Sequence, residues 1–170
     1  MNIFFTSDIH FFHKSVIDFE RRPFDNTDEM NAVIIKRWNR TVAAKDTVYI
    51  LGDVSFGTRE ETTKIIQKLN GNKCLVLGNH DKLNMAQKKL FGWVKHYYKL
   101  RVDKHRFILF HYPIFAWEGK EKGYYHLHGH VHTNSHHDVQ VVNKINVGMD
   151  LWNYTPVSLQ EILEFTGEVS

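Results

Sequence analysis

The chain has 170 residues, a net charge of +3 with its 12 histidines counted neutral, and one cysteine. That length fits one domain able to bury its own core, while a lone Cys74 in the apolar run Lys73-Cys74-Leu75-Val76-Leu77 excludes an internal disulfide framework and suits a reducing cytoplasm. Met1-Asn2-Ile3-Phe4-Phe5 lacks a basic leader region and no membrane-spanning run appears, so the expected setting is cytoplasmic with no membrane partner; the positive charge permits an acidic substrate.

Residues 2 to 7 are an apolar, Phe-rich run ending in Ser7-Asp8, which reads as a buried strand delivering Asp8 and His10 from its C-terminal end. After Phe11-Phe12-His13 comes an irregular stretch containing Arg21-Arg22-Pro23-Phe24. A helix is predicted from near Thr27, with Asp28 and Glu29 in its first turn and Met30, Val33, Ile34 and Trp38 as its apolar stripe. Residues 46 to 51 form a second strand that ends on Gly52-Asp53. Thr58-Arg59-Glu60-Glu61 has the form of a capping box, and Ile65, Ile66 and Leu69 give the next helix one apolar face until Asn70-Gly71 stops it. Residues 73 to 77 make a third strand, ending on Gly78-Asn79-His80-Asp81. Strand, helix, strand, helix, strand argues for a parallel α/β core with its site at the strand C-termini.

From about residue 93 the texture changes. Val94 to Val102, Arg106 to Phe110, Tyr124 to His130 and Val139 to Val147 read as successive strands, with Asp103-Lys104 a hairpin turn. The final helix is predicted near Thr155-Pro156, presenting Val157, Leu159, Ile162 and Leu163. With no repeat, low-complexity tract or linker, residues 1–170 are expected to form one domain, two packed sheets with outer helices.

The densest chemistry lies in Leu127-His128-Gly129-His130-Val131-His132. On an extended segment residues two apart share a face, so His130 and His132 could reach one metal pocket, and Gly129 lets the backbone come close to it. A surface histidine run would look the same. What separates the two is that Asp8-Ile9-His10, Gly52-Asp53, Gly78-Asn79-His80-Asp81 and His111 each follow an apolar, β-like run and each offer oxygen or nitrogen donors.

In that order, the series D-x-H, G-D, G-N-H-D, H and G-H-x-H resembles the signature of the calcineurin-like metallophosphoesterases, and the resemblance spans nearly the whole chain. It implies an α/β fold, a four-layer α/β/β/α sandwich of two packed mixed β-sheets flanked by helices. It also implies two divalent metal ions: Asp8, His10, Asp53 and His132 would hold one, and Asp53, Asn79, His111 and His130 the other, with Asp53 bridging. Such a pair lowers the pKa of a bridging water from ~16 toward ~7 and clamps phosphoryl oxygens from about 3.5–4 Å apart. Two divalent ions against Asp8, Asp53 and a bridging hydroxide leave the bare site near about +1, which a phosphodiester would neutralise. The mixed N/O donor set suits Mn, Fe, Co, Ni or Zn rather than an all-oxygen Mg or Ca cage.

The implied activity is hydrolysis of a phosphate ester by attack of the bridging hydroxide, with a diester the expected substrate and a nucleotide or nucleic acid among the candidate classes. His80, beside the ligand Asn79 but not counted as one, is the candidate acid for the leaving oxygen. In the phosphoprotein-phosphatase branch an acid three residues after the G-D aspartate pairs with this histidine; here that position is Phe56, which argues against a phosphoserine or phosphothreonine phosphatase. The stretches Phe5-Thr6-Ser7-Asp8, Arg22-Pro23-Phe24 and Trp152-Asn153-Tyr154-Thr155-Pro156-Val157 are similar to the small bacterial or phage-borne members. A nuclease is a second reading, for which Lys82 to Arg106, with eight Lys or Arg against the one acid Asp103, offers either a polyanion patch or a solvated face. A non-catalytic, protein-binding scaffold is a third, and the filled motif positions count against it.

Several further residues are read from position. His13, on the loop after Asp8, either touches substrate, supports the ligands or lies on the surface. Arg21 or Arg22 could grip a phosphate as a bidentate donor, or both could be solvated. His128 is expected behind the ligands, and His126, His136 and His137 on the surface. Phe11, Phe12, Trp117, Tyr124 and Tyr125 flank motif segments, where a base could stack unless they belong to the core. The Pro113 to Gly123 loop is a lid candidate by length.

Overall fold

Alternation along three central strands gives the first sheet two buried faces. The structure, a computed structural model, describes residues 1–133 and 143–167. In β1 (Ile3–Thr6), β2 (Thr47–Ile50) and β3 (Asn72–Val76), the side chains of Phe4, Val48, Ile50 and Leu75 fall on one side, where they meet Met30, Ile34 and Trp38 of α2 (Thr27–Thr41) and Ile65 and Ile66 of α3 (Arg59–Lys68). Phe5, Tyr49, Cys74 and Val76 fall on the other, against Phe107 and Leu109 of β6 (His105–Leu109), Tyr125 and Leu127 of β7 (Tyr125–His128) and Ile145 of β8 (Lys144–Asn146). Cys74 is therefore core, as its apolar run predicts.

The first sheet runs β4-β3-β2-β1-β9, where β4 (Val94–Lys95) and the three central strands are parallel and β9 (Val157–Ser158) is antiparallel to β1. The second runs β5-β6-β7-β8, with β5 (Tyr98–Val102) antiparallel to β6 and the rest parallel. Two mixed sheets with flanking helices make the α/β class that the sequence implies. A short helix, α1 (Lys14–Phe19), follows the first site loop, and another, α4 (Met85–Lys88), follows the third central strand. Among the described residues no helix is long and apolar enough to cross a membrane.

Local signals hold where the hydrogen bonds are local. Asn26 caps α2 from the residue before the expected start, and Thr58 with Glu61 forms the capping box of α3. Asp103-Lys104 turns the hairpin, pairing Val102 with His105. Three expectations are corrected. The run from Val94 to Val102 is two strands in different sheets: Val94 pairs with Leu75, whereas Tyr98 pairs with Leu109, because an apolar run carries no information about which neighbour it meets. The Tyr124 to His130 strand stops at His128, since Gly129 and His130 leave the ladder to close on Asp8. The last helix, α5 (Leu159–Phe165), begins later than Pro156: Val157 and Ser158 pair with β1, and the Ser158–Glu161 capping box sets the start. Of the expected strand from 139 to 147, the part before residue 143 lies outside the described residues.

Candidate metal centre

The C-terminal ends of strands from both sheets open on the same place. The chain leaves β1 into Asp8 and His10, β2 into Asp53 and β3 into Asn79, while β6 and β7 deliver His111 and then His130 and His132. Parallel strands put these ends on one edge, the standard site of an open α/β sheet. Backbone bonds lace the loops together: Asp8 N–H donates to Gly52 O (3.1 Å), His10 N–H to Asp53 O (3.0 Å) and Gly129 N–H to His111 O (2.9 Å).

Five of these residues sit in the left-handed region, with φ of 54° at Asp8, 55° at His10, 55° at Asp53, 72° at His130 and 47° at His132. None is glycine, so each carries backbone strain of about 1–3 kcal/mol that the surrounding structure holds in place. The glycines of the motifs have a different use. A Cβ on Gly78 would collide with Asp53, and one on Gly129 with Ser7 and Asp8; the loops approach too closely for any side chain.

The donor atoms fall into two groups that share Asp53. His10 Nε2 lies 3.9 Å from Asp8 Oδ1 and 3.6 Å from Asp53 Oδ2, and His132 Nε2 lies 3.8 Å from Asp8 Oδ1. On the other side His111 Nε2 is 3.6 Å from the same Asp53 Oδ2, while Asn79 Oδ1 is 2.9 Å from His111 Nε2 and 3.1 Å from His130 Nδ1. Asp53 Oδ1 is occupied, accepting the His80 N–H at 3.0 Å. Burial pushes the Asp8 carboxyl up, yet the His10 side chain and the His132 and His111 imidazoles outweigh it and hold it at about 2. His132 is raised: burial disfavours its charge, but the bond to Asp150 and the Asp8 charge prevail.

These groups fit cations. Among the described residues Asp8 Oδ1 and His10 Nε2 are buried with no hydrogen-bond partner, an expensive arrangement for a carboxylate oxygen and an imidazole nitrogen unless something positive joins them. His111 Nδ1 is 2.7 Å from the Leu51 carbonyl, which can only accept; the proton therefore sits on Nδ1, and Nε2 turns its lone pair toward the oxygens of Asn79 and Asp53. His10 Nδ1 lies 2.9 Å from His13 Nδ1, and either ring can donate across that contact; with the proton on His10 Nδ1, its Nε2 is free for a metal. Asp8, His10 and His132 could hold one ion and Asp8, Asp53 and His111 could contribute to a second; Glu20, His132 and Asp150 also converge.

His80 stands exposed at the rim, its ring 4.8 Å from Phe56 and 6.1 Å from His10. Phe56, at the position where an acid stands in the phosphoprotein-phosphatase branch, lies parallel on His13 (3.8 Å, 9°) and on His10 (5.0 Å, 17°). Asp81, to which the sequence assigned no role, ties two loops: its carboxylate accepts from the backbone N–H groups of Asp53 (2.9 Å), Val54 (3.0 Å) and Gly78 (2.8 Å). A short acid closing a Gly-Asn-His loop after a strand is the local signal that could have flagged it.

The peripheral expectations divide. Arg22 is 3% exposed, and its fork meets Asp150 rather than facing the centre, which corrects its reading as a phosphate-gripping donor. His126 is not on the surface but fully buried, its Nδ1 donating to Ile108 O at 3.2 Å and its Nε2 accepting from Ile114 N–H at 3.2 Å beside the Tyr112 carbonyl. His128 is buried with its ring 5.3 Å from His126. His136 and His137 lie outside the described residues. Phe11, Trp117 and Tyr125 are core, and the exposed rings beside the centre are instead Phe56, Phe19 and Tyr112, at 38%, 56% and 37%. With Trp117 buried and its indole donating to Tyr124 O, the 113–123 loop is anchored over His126 rather than hanging free as a lid.

The profile of the family described as calcineurin-like phosphoesterase matches residues 1–163. MJ1445, an uncharacterized protein of Methanocaldococcus jannaschii, is 34% identical over 168 residues, covering 95% of this chain and 89% of that protein. The gene 66 protein of Mycobacterium phage L5 is 29% identical over 201 residues, 99% of this chain and 95% of that one. Among solved structures, the protein of unknown function AQ665 from Aquifex aeolicus superposes with a TM-score of 0.76 at 26% identity, over 96% of this chain and 98% of its own.

Proposed function

The chain belongs to the calcineurin-like phosphoesterase family, and on that premise we propose that it is a phosphodiesterase working through a dinuclear centre of Mn or another divalent transition metal. The observation that carries this reading is the position of Asp53 Oδ2, 3.6 Å from both His10 Nε2 and His111 Nε2. One carboxylate oxygen facing both donor groups suits a shared ligand, with Asp8 and His132 completing one set and Asn79 and His130 the other. Bound divalent ions supply the charge that acidifies a water and neutralises phosphoryl oxygens.

The protein's own part is orientation, proton supply and the shape of the rim. Asp53 is fixed at both ends, its N–H on Asp81 and its Oδ1 under the His80 N–H, so Oδ2 has one direction to point. His80 stands over the centre with its imidazole exposed, where it can give a proton to a departing alkoxide. Phe56, Phe19 and Tyr112 are partly exposed aromatic side chains around the candidate ligands, as suits an ester with a planar substituent such as a nucleobase.

The test is hydrolysis of bis-p-nitrophenyl phosphate against p-nitrophenyl phosphate by metal-stripped protein refilled with Mn²⁺, with Asp53→Asn as control. The diester is expected to be the faster substrate and the control inactive. Faster monoester cleavage would overturn the diester reading, and an active Asp53→Asn variant would overturn the shared-ligand role.

A further inference from the structure

Arg22 was read from the sequence as a residue facing solvent or substrate, and in the structure all five of its N–H donors are used inside the protein. Nε and Nη2 grip the two oxygens of Asp150 at 2.7 and 3.0 Å. Nη2 also donates to the backbone oxygen of Asp8 at 2.8 Å, and Nη1 to that of Ile9 at 2.9 Å and toward Met30 Sδ at 3.5 Å. The side chain is completely buried. Asp150 in turn accepts from His132 Nδ1 at 2.9 Å with the same Oδ2 that Arg22 holds. One guanidinium thus connects two ligand-bearing segments that lie far apart in sequence.

Each connection acts on a donor atom. Asp8 and His10 have left-handed backbones, and the carbonyls between them, those of Asp8 and Ile9, are the two that Arg22 holds. Without a buried donor these oxygens would be desolvated and unpaired, and the turn would lose what keeps Asp8 Oδ1 and His10 Nε2 aimed inward. At the other end, a proton held on His132 Nδ1 by Asp150 leaves Nε2 as the free nitrogen, 3.8 Å from Asp8 Oδ1. Lysine could not replace this arrangement: its three donors radiate from one atom and cannot span a carboxylate and two carbonyls.

We propose that Arg22 is a positioning residue for metal capture, holding the Asp8–His10 turn directly and the His132 imidazole through Asp150, so that their donor atoms meet at one ion without Arg22 touching it. This rests on the metal-centre reading above but not on any substrate or rate.

The experiment is titration of metal-stripped protein with Mn²⁺ by calorimetry, alongside thermal melts of the metal-free forms to separate binding from folding. Arg22→Lys and Asp150→Asn are each expected to weaken Mn²⁺ binding at one site by about 10–100-fold. Because the two residues act as one unit, the double variant is expected to bind no more weakly than the worse single one. Should Arg22→Lys fail to fold, Asp150→Asn alone carries the comparison. Variants that melt earlier yet bind Mn²⁺ like the parent would overturn the proposal and leave Arg22 a purely structural residue; losses that multiply in the double variant would overturn the relay. A parent protein that takes up no Mn²⁺ would overturn it together with the metal centre, whereas uptake without ester hydrolysis would count against the phosphodiesterase reading alone.

Discussion

Asp8 divides its carboxylate between two tasks: Oδ2 accepts the His130 backbone N–H at 2.9 Å, and Oδ1, buried, has no hydrogen-bond partner among the described residues. One oxygen locks the β7 loop onto the β1 loop, and the other is left facing the histidines. The contact depends on Gly129, whose hydrogen lies where a Cβ would meet Ser7 and Asp8. Ser7 cannot simply turn away, since its hydroxyl donates to Leu51 O at 2.7 Å.

Gly129→Ala is therefore expected to destabilise the protein by about 1–3 kcal/mol, the usual cost of forcing a methyl group into a packed site. It should also weaken Mn²⁺ binding by displacing Asp8. Urea unfolding of the metal-free protein checks the first part; a variant within about 0.5 kcal/mol of the parent, the range of an ordinary surface change, would mean that the two loops separate freely.

His80 is expected to matter in proportion to the basicity of the leaving group. His80→Ala should lower kcat by about 10²–10⁴-fold on a diester with an alkoxide leaving group, and far less on p-nitrophenyl esters, whose leaving oxygen needs little help. Equal losses on both substrates would assign His80 to binding or structure instead of proton donation.

Phe56 offers its ring beside His10, His13 and His80. If that ring is a platform for a planar substituent, Phe56→Leu should raise KM for aryl or nucleotide diesters by about tenfold, close to 1.4 kcal/mol of stacking, with a smaller change in kcat. A fall in kcat at constant KM would show the ring acting through His80 rather than on substrate.

His126 gives a pH prediction away from the ligands. Burial, reinforced by the neighbouring His128, holds its pKa down at about 4, and acceptance from Ile114 N–H fits the neutral form. The unfolded chain, with a histidine near 6.5, binds the proton first. Its contribution is thus whole above pH 6.5, is lost as pH falls toward about 4, and is constant below that, for a total on the order of 3 kcal/mol. Urea unfolding between pH 7 and 4.5 should show a shallower pH slope for His126→Gln than for the parent; parallel slopes would remove His126 from the acid sensitivity.

The amino-acid sequence by itself determined the local pieces of this protein. Continuous apolar runs mark the strands buried on both faces, Thr58 and Glu61 announce a cap, and Asp8, Asp53, Asn79 and His111 lie just past apolar runs because a strand ends where its polar residues begin. Gly52, Gly78 and Gly129 mark close approaches before the partner is known. What the tertiary structure alone decided is which polar groups lose water and to whom they bond. Nothing near Arg22 distinguishes it from Arg21 beside it; its burial follows from Asp150, 128 residues away. His126 sits in a strand as its neighbours do, yet its partners Tyr112 and Ile114 come from another loop. Val94 and Tyr98, four residues apart, join different sheets. Periodicity and caps report interactions spanning a few residues, whereas desolvation and pairing of charges are set by chain closure over a hundred or more, where residue order carries no distance information.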